Sequence, residues 1–465
     1  MEKISIKEIL KLKKDIQTMA DTTSLNQIRN TMYYEKDKSL LEDKGLIYKL
    51  EELNSLPTGR FRILYKGIHF DCLFKPQNEK SLYVVFSGYK TSTPPEFKRW
   101  SWYNTFGGSM LNIADPSYTE NDKVELGWYY GTDDVNYREL IVDIVKRVQT
   151  ILEIENKDVT FYSSSGGGAC AIHCAGLLEG STAIAINPQI HLATWAYAPM
   201  FLKTTGIDLN KPDKWHRNEL QWFAKNCPKS NFIFFENCAS DQDIEQFKYL
   251  KEAISPNKPF HYGINEFDNC IVWLYEAYDR VPHGAQETQL FYFAIKYLVE
   301  NFKERKNIEE LEELYIIFSE LWFDHWSLIW GEKQSTKTTR ILDDFSNTEI
   351  VSQISNTTIN ADPNNPKYNA IVILKKPEPR TIYQIKISGI KPISGNFEQV
   401  TFAVKDNQTQ SLAQQKALDF SKSYKFYVTT EKFTEDLEFK IYCGVPGKTN
   451  NNSVYIENIT ISKVK

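Results

Sequence analysis

Residues 159–178 read VTFYSSSGGGACAIHCAGLL. A β-rich run meets a cluster of serines and glycines, and a helix-like segment of small residues follows. A nucleophile carried on a strand-to-helix turn needs a strained backbone. The residues two before and two after it must be small, because bulk there would strike the neighbouring strand and helix. Each serine can be tested against that requirement. Ser163 would place Phe161 two positions before it, and Ser164 would place Tyr162 there, so both fail. Ser165 has Ser163 before it and Gly167 after it, and it passes. A phosphate cradle fits the stretch less well, because no Gly-Lys-Ser/Thr ending follows the glycines.

The stretch resembles the nucleophile elbow of the α/β-hydrolase family, commonly G-x-S-x-G and often GSSGGG. Here the run is SSSGGG, with Ser163 in place of the first glycine. The resemblance implies a serine nucleophile, then an acid, then a histidine along the chain. Of the seven histidines, His283 lies in Val-Pro-His-Gly, a loop signature ahead of a helical segment, where the family places its general base. The acid is expected in the loop after the strand NFIFF. Asp241, six residues past Phe235, is the first choice, with Asp243 and Glu236 as rivals. Its role would be to hold the imidazole in one tautomer and stabilise the imidazolium. The resemblance also implies an oxyanion hole, with one donor from the amide of Gly166. The other would come from the Ser87-Gly88-Tyr89 loop, through Tyr89 or Gly88.

Working outward, strands are expected at 60–65, 69–74, 82–86, 110–113, 159–162, 183–187, 232–235 and 260–264, with helices at 137–152, 168–178 and 283–302. Apolar strands alternating with helices argue for a mostly parallel sheet covered on both faces. The expected class is therefore α/β, an α/β-hydrolase fold over residues 59–303, preceded by a helical arm over 1–58. Residues 304–335 read as an aromatic-rich helical connector, with Ile308, Leu311, Tyr315, Phe318, Trp322 and Trp326 at helical spacing. A polar linker is expected after 336. Short alternating runs at 370–374, 383–388, 400–404, 424–428, 437–442 and 454–461 then predict an all-β sandwich within 336–465. Its closing segment resembles the jelly-roll ends of carbohydrate-binding modules.

Composition narrows the function. Across 465 residues, 55 Lys plus Arg against 60 Asp plus Glu leave a net charge of −5, which gives no basic footprint for nucleic acid. No uninterrupted apolar stretch approaches membrane-spanning length. The opening MEKISIKEILKLKKDIQ carries charges throughout, unlike a secretory signal, and the seven scattered cysteines suit reduced thiols, so a cytoplasmic setting is expected. Aromatic residues make up 14% of the chain; they pack cores and also form stacking surfaces for sugars. Trp195 and Trp215, in the insertion between the sixth and seventh core strands, and Trp102, after the oxyanion loop, are candidate substrate walls. Cys170, His173 and Cys174 lack a second ligand pair at zinc spacing, so neither a metal nor a cofactor is expected. The implied chemistry is serine-dependent acyl transfer, first as an esterase on a small acyl ester or an acylated glycan. A second reading is O-acetyl transfer to a surface glycan or capsule, which would need an acetyl donor. In layout the chain is similar to bacterial glycan-modifying proteins, including accessory secretion proteins that O-acetylate glycoprotein sugars. A reading from another class is a catalytically silent scaffold that binds a glycan or a protein.

Overall fold

The computed structural model describes residues 37–275, apart from 79, 107, 239, 258–259 and 261–262, together with His283 and most of a β region between 348 and 464. The expected helical arm through residue 36, the helix at 283–302 beyond His283, and the aromatic connector lie outside the described residues.

Ten strands form one mixed sheet: β1 (Ile47–Lys49), β2 (Gly59–Tyr65), β3 (Ile68–Lys75), β4 (Leu82–Phe86), β5 (Ser109–Ile113), β6 (Val159–Ser164), β7 (Thr182–Ile186), β8 (Asn231–Asn237), β9 (Gly263–Phe267) and β10 (Cys270–Tyr275). Their spatial order is β1-β2-β3-β5-β4-β6-β7-β8-β10-β9. The run from β5 to β10 pairs in parallel. β3 joins β5, and β9 joins β10, in antiparallel fashion. All residues of β4, β5, β7 and β10 are buried, as strands covered on both faces require.

The main helices are α1 (Tyr137–Leu152), α2 (Ser165–Leu177), α3 (Ala198–Thr205), α4 (Gln221–Asn226) and α5 (Asp241–Ile254). α1 starts where the Asn136 side chain accepts from the amide of Arg138, and it buries Leu140, Ile141, Ile144, Val145 and Val148 along one stripe. α2 has no such stripe. Gly166 through Ala175 are all buried, and its small residues let it lie close to β4, β6 and β7.

Several stretches differ from the sequence expectation. Residues 37–58, expected as part of the helical arm, form two short 3₁₀ turns around β1, which pairs in parallel with β2 at the sheet edge. The strand at Ser411–Ala417 was not among the expected runs. The last strand is shifted, from 260–264 to Gly263–Phe267, and it forms a hairpin with β10, a strand the alternation did not reveal. Two residues, Asp268 and Asn269, make that turn. β10 is a run of six buried residues without polar alternation, which periodicity alone cannot assign. The polar stretch expected as a linker contains β11 (Thr348–Ala361). It is an edge strand, exposed along much of its length, so polar residues are tolerated there.

The remaining strands are β12 (Ala370–Lys375), β13 (Ile382–Ser394), β14 (Val400–Asp406), β15 (Ser411–Ala417), β16 (Tyr424–Thr429), β17 (Asp436–Cys443) and β18 (Asn452–Val464). They form two four-stranded antiparallel sheets, β11-β18-β13-β16 and β12-β17-β14-β15. Residues from both, including Ile385, Ile387, Ile459 and Ile461 from one and Phe402, Val404 and Phe439 from the other, share one hydrophobic cluster.

Candidate active site

Parallel register brings the C-terminal ends of β4, β6, β7 and β8 to one edge of the sheet: Ser164 lies opposite Ile186, and Ile186 opposite Phe235. Groups emerging beyond those ends fall into one crevice, as is general for open parallel sheets.

Ser165 opens α2 with φ +54°, in the left-handed region that a side chain occupies only under constraint. The turn is closely packed: there is no room for a side chain at Gly167, and the loop at Gly88 lies in ordinary contact with it. A Cβ on Gly167 would run into Ser163 Oγ and come within 2.8 Å of the Ser87 carbonyl. A Cβ on Gly88 would lie 3.6 Å from the Ser165 Cβ and 3.7 Å from the Gly166 nitrogen. Ser163 fits as the small residue two positions before the nucleophile because its hydroxyl is satisfied, donating to the Phe86 carbonyl at 2.9 Å.

Ser165 Oγ lies 2.8 Å from His283 Nε2, and His283 Nδ1 lies 2.5 Å from Asp243 Oδ1. Asp243 is fully buried, while His283 keeps some exposure. With Nδ1–H donating to the carboxylate, Nε2 is left as the acceptor for the serine proton. The structure places Asp243, and not Asp241, against His283. Ser240 is the N-cap of α5, and its hydroxyl accepts from the Asp243 amide. Asp241 is consequently the first helical residue. It points outward, 56% exposed, and pairs with Lys425 of β16 at 3.1 Å. Asp243, two residues further round the turn, points back to the sheet edge. The Ser-x-x-Asp signature marks Ser240 as the helix start, though not which aspartate of the first turn faces the sheet edge. Glu236, the other rival, is buried, and neither of its carboxylate oxygens has a hydrogen-bond partner among the described residues. Burial first, and then the negative charge of Asp243, push its carboxyl well above the usual carboxylate range.

The expected oxyanion donors lie together. The Gly166 amide belongs to the first turn of α2, where helix N–H groups have no intrahelical partner. The Ser87-Gly88-Tyr89 loop crosses directly over it. That loop is pinned: the Ser87 amide donates to the Tyr129 hydroxyl, the Ser87 hydroxyl donates to the Glu96 carbonyl, and Tyr118 donates to the Gly88 carbonyl. The Tyr89 hydroxyl donates to Glu125. Burial, and then neighbouring Tyr197, raise its phenol far above the ordinary tyrosine value.

The candidate substrate tryptophans separate. Trp195 is buried and packs its ring on His283, 4.7 Å between centroids, so it forms a wall beside the base. Trp102 lies under the Arg99 guanidinium at 5.3 Å, and Arg99 in turn donates to Ser164 Oγ at 2.6 Å, next to the nucleophile. Trp215 instead stacks with Arg217, which Asp213 holds in a buried ion pair. No described contact connects Trp215 to Ser165, His283 or Asp243. Cys170, Cys174 and His173 are all buried on α2. The thiols approach each other at 3.8 Å, and His173 Nδ1 accepts from the buried Arg138 guanidinium.

Sequence reasoning missed the loop after β7. Asn187 has φ +44° and is fully buried. Its Oδ1 accepts from the Asn237 amide and the Tyr275 hydroxyl, and its Nδ2 donates to the His283 carbonyl at 3.3 Å. It thereby ties the base to β8 and β10. Gln189 reaches the nucleophile itself, its Nε2 donating to Ser165 Oγ at 3.0 Å. An Asn-Pro-Gln turn following an apolar strand was the available signal.

No family model matches the chain, and no curated protein does. Among solved structures, the capsule O-acetyltransferase of Neisseria meningitidis serogroup A matches at 17% identity over 51% of this chain and 96% of that one, with a TM-score of 0.38. A glycosylation-associated protein complex (Gap123) of Streptococcus agalactiae matches at 16% identity over 51% and 44%, TM-score 0.34. An esterase of the planctomycete Thermogutta terrifontis matches at 14% identity over 52% and 93%, TM-score 0.36.

Proposed function

We propose that this chain carries out serine-dependent acyl-ester chemistry, with Ser165 as nucleophile, His283 as general base and Asp243 as the orienting acid. One observation carries the reading: an unbroken line of contacts, 2.8 Å from Oγ to Nε2 and 2.5 Å from Nδ1 to the carboxylate, starting at a strained strand-to-helix turn. Helix-capping and core-packing roles would not need a left-handed serine aimed at a histidine.

In this reading Oγ attacks the ester carbonyl while its proton passes to Nε2. The carbonyl electron pair moves onto oxygen, where the Gly166 amide and the Gly88–Tyr89 loop receive it. Collapse expels the alcohol, which takes the proton from His283. Water then repeats the sequence on the acyl-enzyme. The enzyme is proposed as an esterase, with an acylated carbohydrate as substrate class on account of the C-terminal sandwich. Transfer to a glycan hydroxyl would use the same groups and differ only in the acceptor.

A fluorophosphonate probe tests the reading. The expected result is a single adduct that mass analysis places on Ser165, with release of acetate from a small acetyl ester. Labelling elsewhere, or none in folded protein, overturns it. Adding a sugar alcohol to the same assay separates hydrolysis from transfer.

A further inference from the structure

Ser165 Oγ has three hydrogen-bonding positions, one proton and two lone pairs. The proton points to His283 Nε2 at 2.8 Å. One lone pair is occupied by the Gln189 carboxamide, whose Nε2 stands 3.0 Å away. Which end of that carboxamide faces the serine is fixed by a second contact. Gln189's other end touches the indole nitrogen of Trp128. An indole N–H can only donate, so the atom facing it must be the carbonyl Oε1, and the NH2 must face Ser165. Both side chains are almost completely buried, Gln189 and Trp128 each at 1% exposure. The main chain adds a third tie, the Gln189 amide donating to the Ser165 carbonyl at 3.3 Å. A buried amide held at both ends on a reacting oxygen has little freedom to leave it.

Building on the acyl-ester reading above, we propose that Gln189 is a catalytic residue of the second half-reaction, donating its N–H to Ser165 Oγ as that oxygen becomes the leaving group, with Trp128 as its positioning residue. The two half-reactions treat Oγ oppositely. In acylation Oγ starts as a hydroxyl that already accepts this N–H, so most of the bond's effect is present before the attack; in the acyl-enzyme Oγ is an ester oxygen, a weak acceptor, and the bond strengthens only as C–Oγ breaks. In deacylation, water loses a proton to His283 and bonds to the acyl carbon. The C–Oγ bond then breaks, its electron pair stays on Oγ, and His283 returns the proton there. Negative charge develops on Oγ in this second step, beside a donor already in place. Donors pre-aimed at developing charge in a water-poor site are among the strongest contributions to catalysis.

The experiment is stopped-flow hydrolysis of p-nitrophenyl acetate by the full chain and by Gln189→Met, with Trp128→Phe as a second variant that keeps the carboxamide but removes its fastening. The expected result is a deacylation rate lowered at least about tenfold in Gln189→Met and by a smaller factor in Trp128→Phe. Acylation should change less than threefold, so that a burst of p-nitrophenol precedes a slow steady state. An unchanged deacylation rate in folded Gln189→Met overturns the proposal. So does an equal fall in both half-reactions, because a merely structural role would disturb the nucleophile in each. If the unmodified chain forms no acetyl ester on Ser165, the acyl-ester reading itself fails, a result distinct from failure in the variants alone. Should Gln189→Met not fold, Trp128→Phe decides by the same comparison of the two rates.

Discussion

After β6 the chain enters α2 through Ser165 at φ +54°; after β8 it enters α5 through Ser240, an N-cap in the extended region at φ −107°. Both turns lie at the same edge of the sheet, and both deliver one group to the crevice. At the first, the backbone itself is special, and it constrains residue types on either side. At the second, the backbone is an ordinary helix start that accepts an aspartate at either position of its first turn, both being favourable near a helix N-terminus. Which aspartate meets His283 depends on the direction the turn faces, a tertiary fact.

The sharpest way to break this contrast is at the first turn. Ser165→Ala is expected to abolish fluorophosphonate labelling and lower turnover on the order of 10⁶-fold, since nucleophile and base act as a unit. Circular dichroism should be unchanged. Persistent labelling that moves to Ser164 would mean the elbow is one residue out of register.

The second turn is tested by a pair of substitutions. Asp243→Asn is expected to cost on the order of 10⁴-fold in turnover, by favouring the tautomer of His283 with its proton on Nε2. Asp241→Asn should stay within about twofold. Its pairing with Lys425 is largely exposed, and such pairs contribute about 0–1 kcal/mol to stability. Steady-state kinetics on one acetyl ester would decide, and a reversed ranking would return the acid to Asp241.

Gly167→Ala should have an intermediate effect. The new Cβ would press on the Ser87 carbonyl, a backbone atom next to the proposed oxyanion donors. A displacement of that loop by a fraction of an ångström to an ångström predicts a loss on the order of a hundredfold in kcat. A full-activity Gly167→Ala would show that the loop has slack and that the tightness of the elbow is not what fixes the site.

The same distinction explains what could be read in advance. The elbow was legible because sterics filter residue identity: Phe161 and Tyr162 excluded two serines, and Ser163 with Gly167 admitted the third. His283 stood out through Val-Pro-His-Gly, a loop signature at which the α/β-hydrolase resemblance implies a base, and its ring lies 2.8 Å from Ser165 Oγ. β10 was not, because CIVWLY is buried throughout and carries no period. β11 was hidden for the opposite reason, an edge strand polar enough to resemble a linker. Asn187 and Gln189 were invisible as single letters. The Asn-Pro-Gln turn marks the loop, but the partners of these side chains lie 24 to 96 residues away, and the turn does not encode those contacts.

The smallest effect concerns the other carboxyl at the acid turn. Glu236 is raised far above its ordinary value by burial and by Asp243, so in the folded chain it is held neutral while the unfolded chain ionises it above about pH 4.3. The folded state then binds more protons than the unfolded one, and stability must fall as pH rises past that point. The slope is at most about 1.4 kcal/mol per pH unit, persisting until the folded-state carboxyl itself begins to ionise. Glu236→Gln removes the proton but keeps the shape. It should match the parent in melting temperature near pH 4 and exceed it progressively from pH 5 to 8, by a few degrees. Thermal melts of both proteins across that range are the check. Parallel curves would mean that Glu236 ionises in the folded state as readily as in the unfolded one, and that burial does not hold its proton.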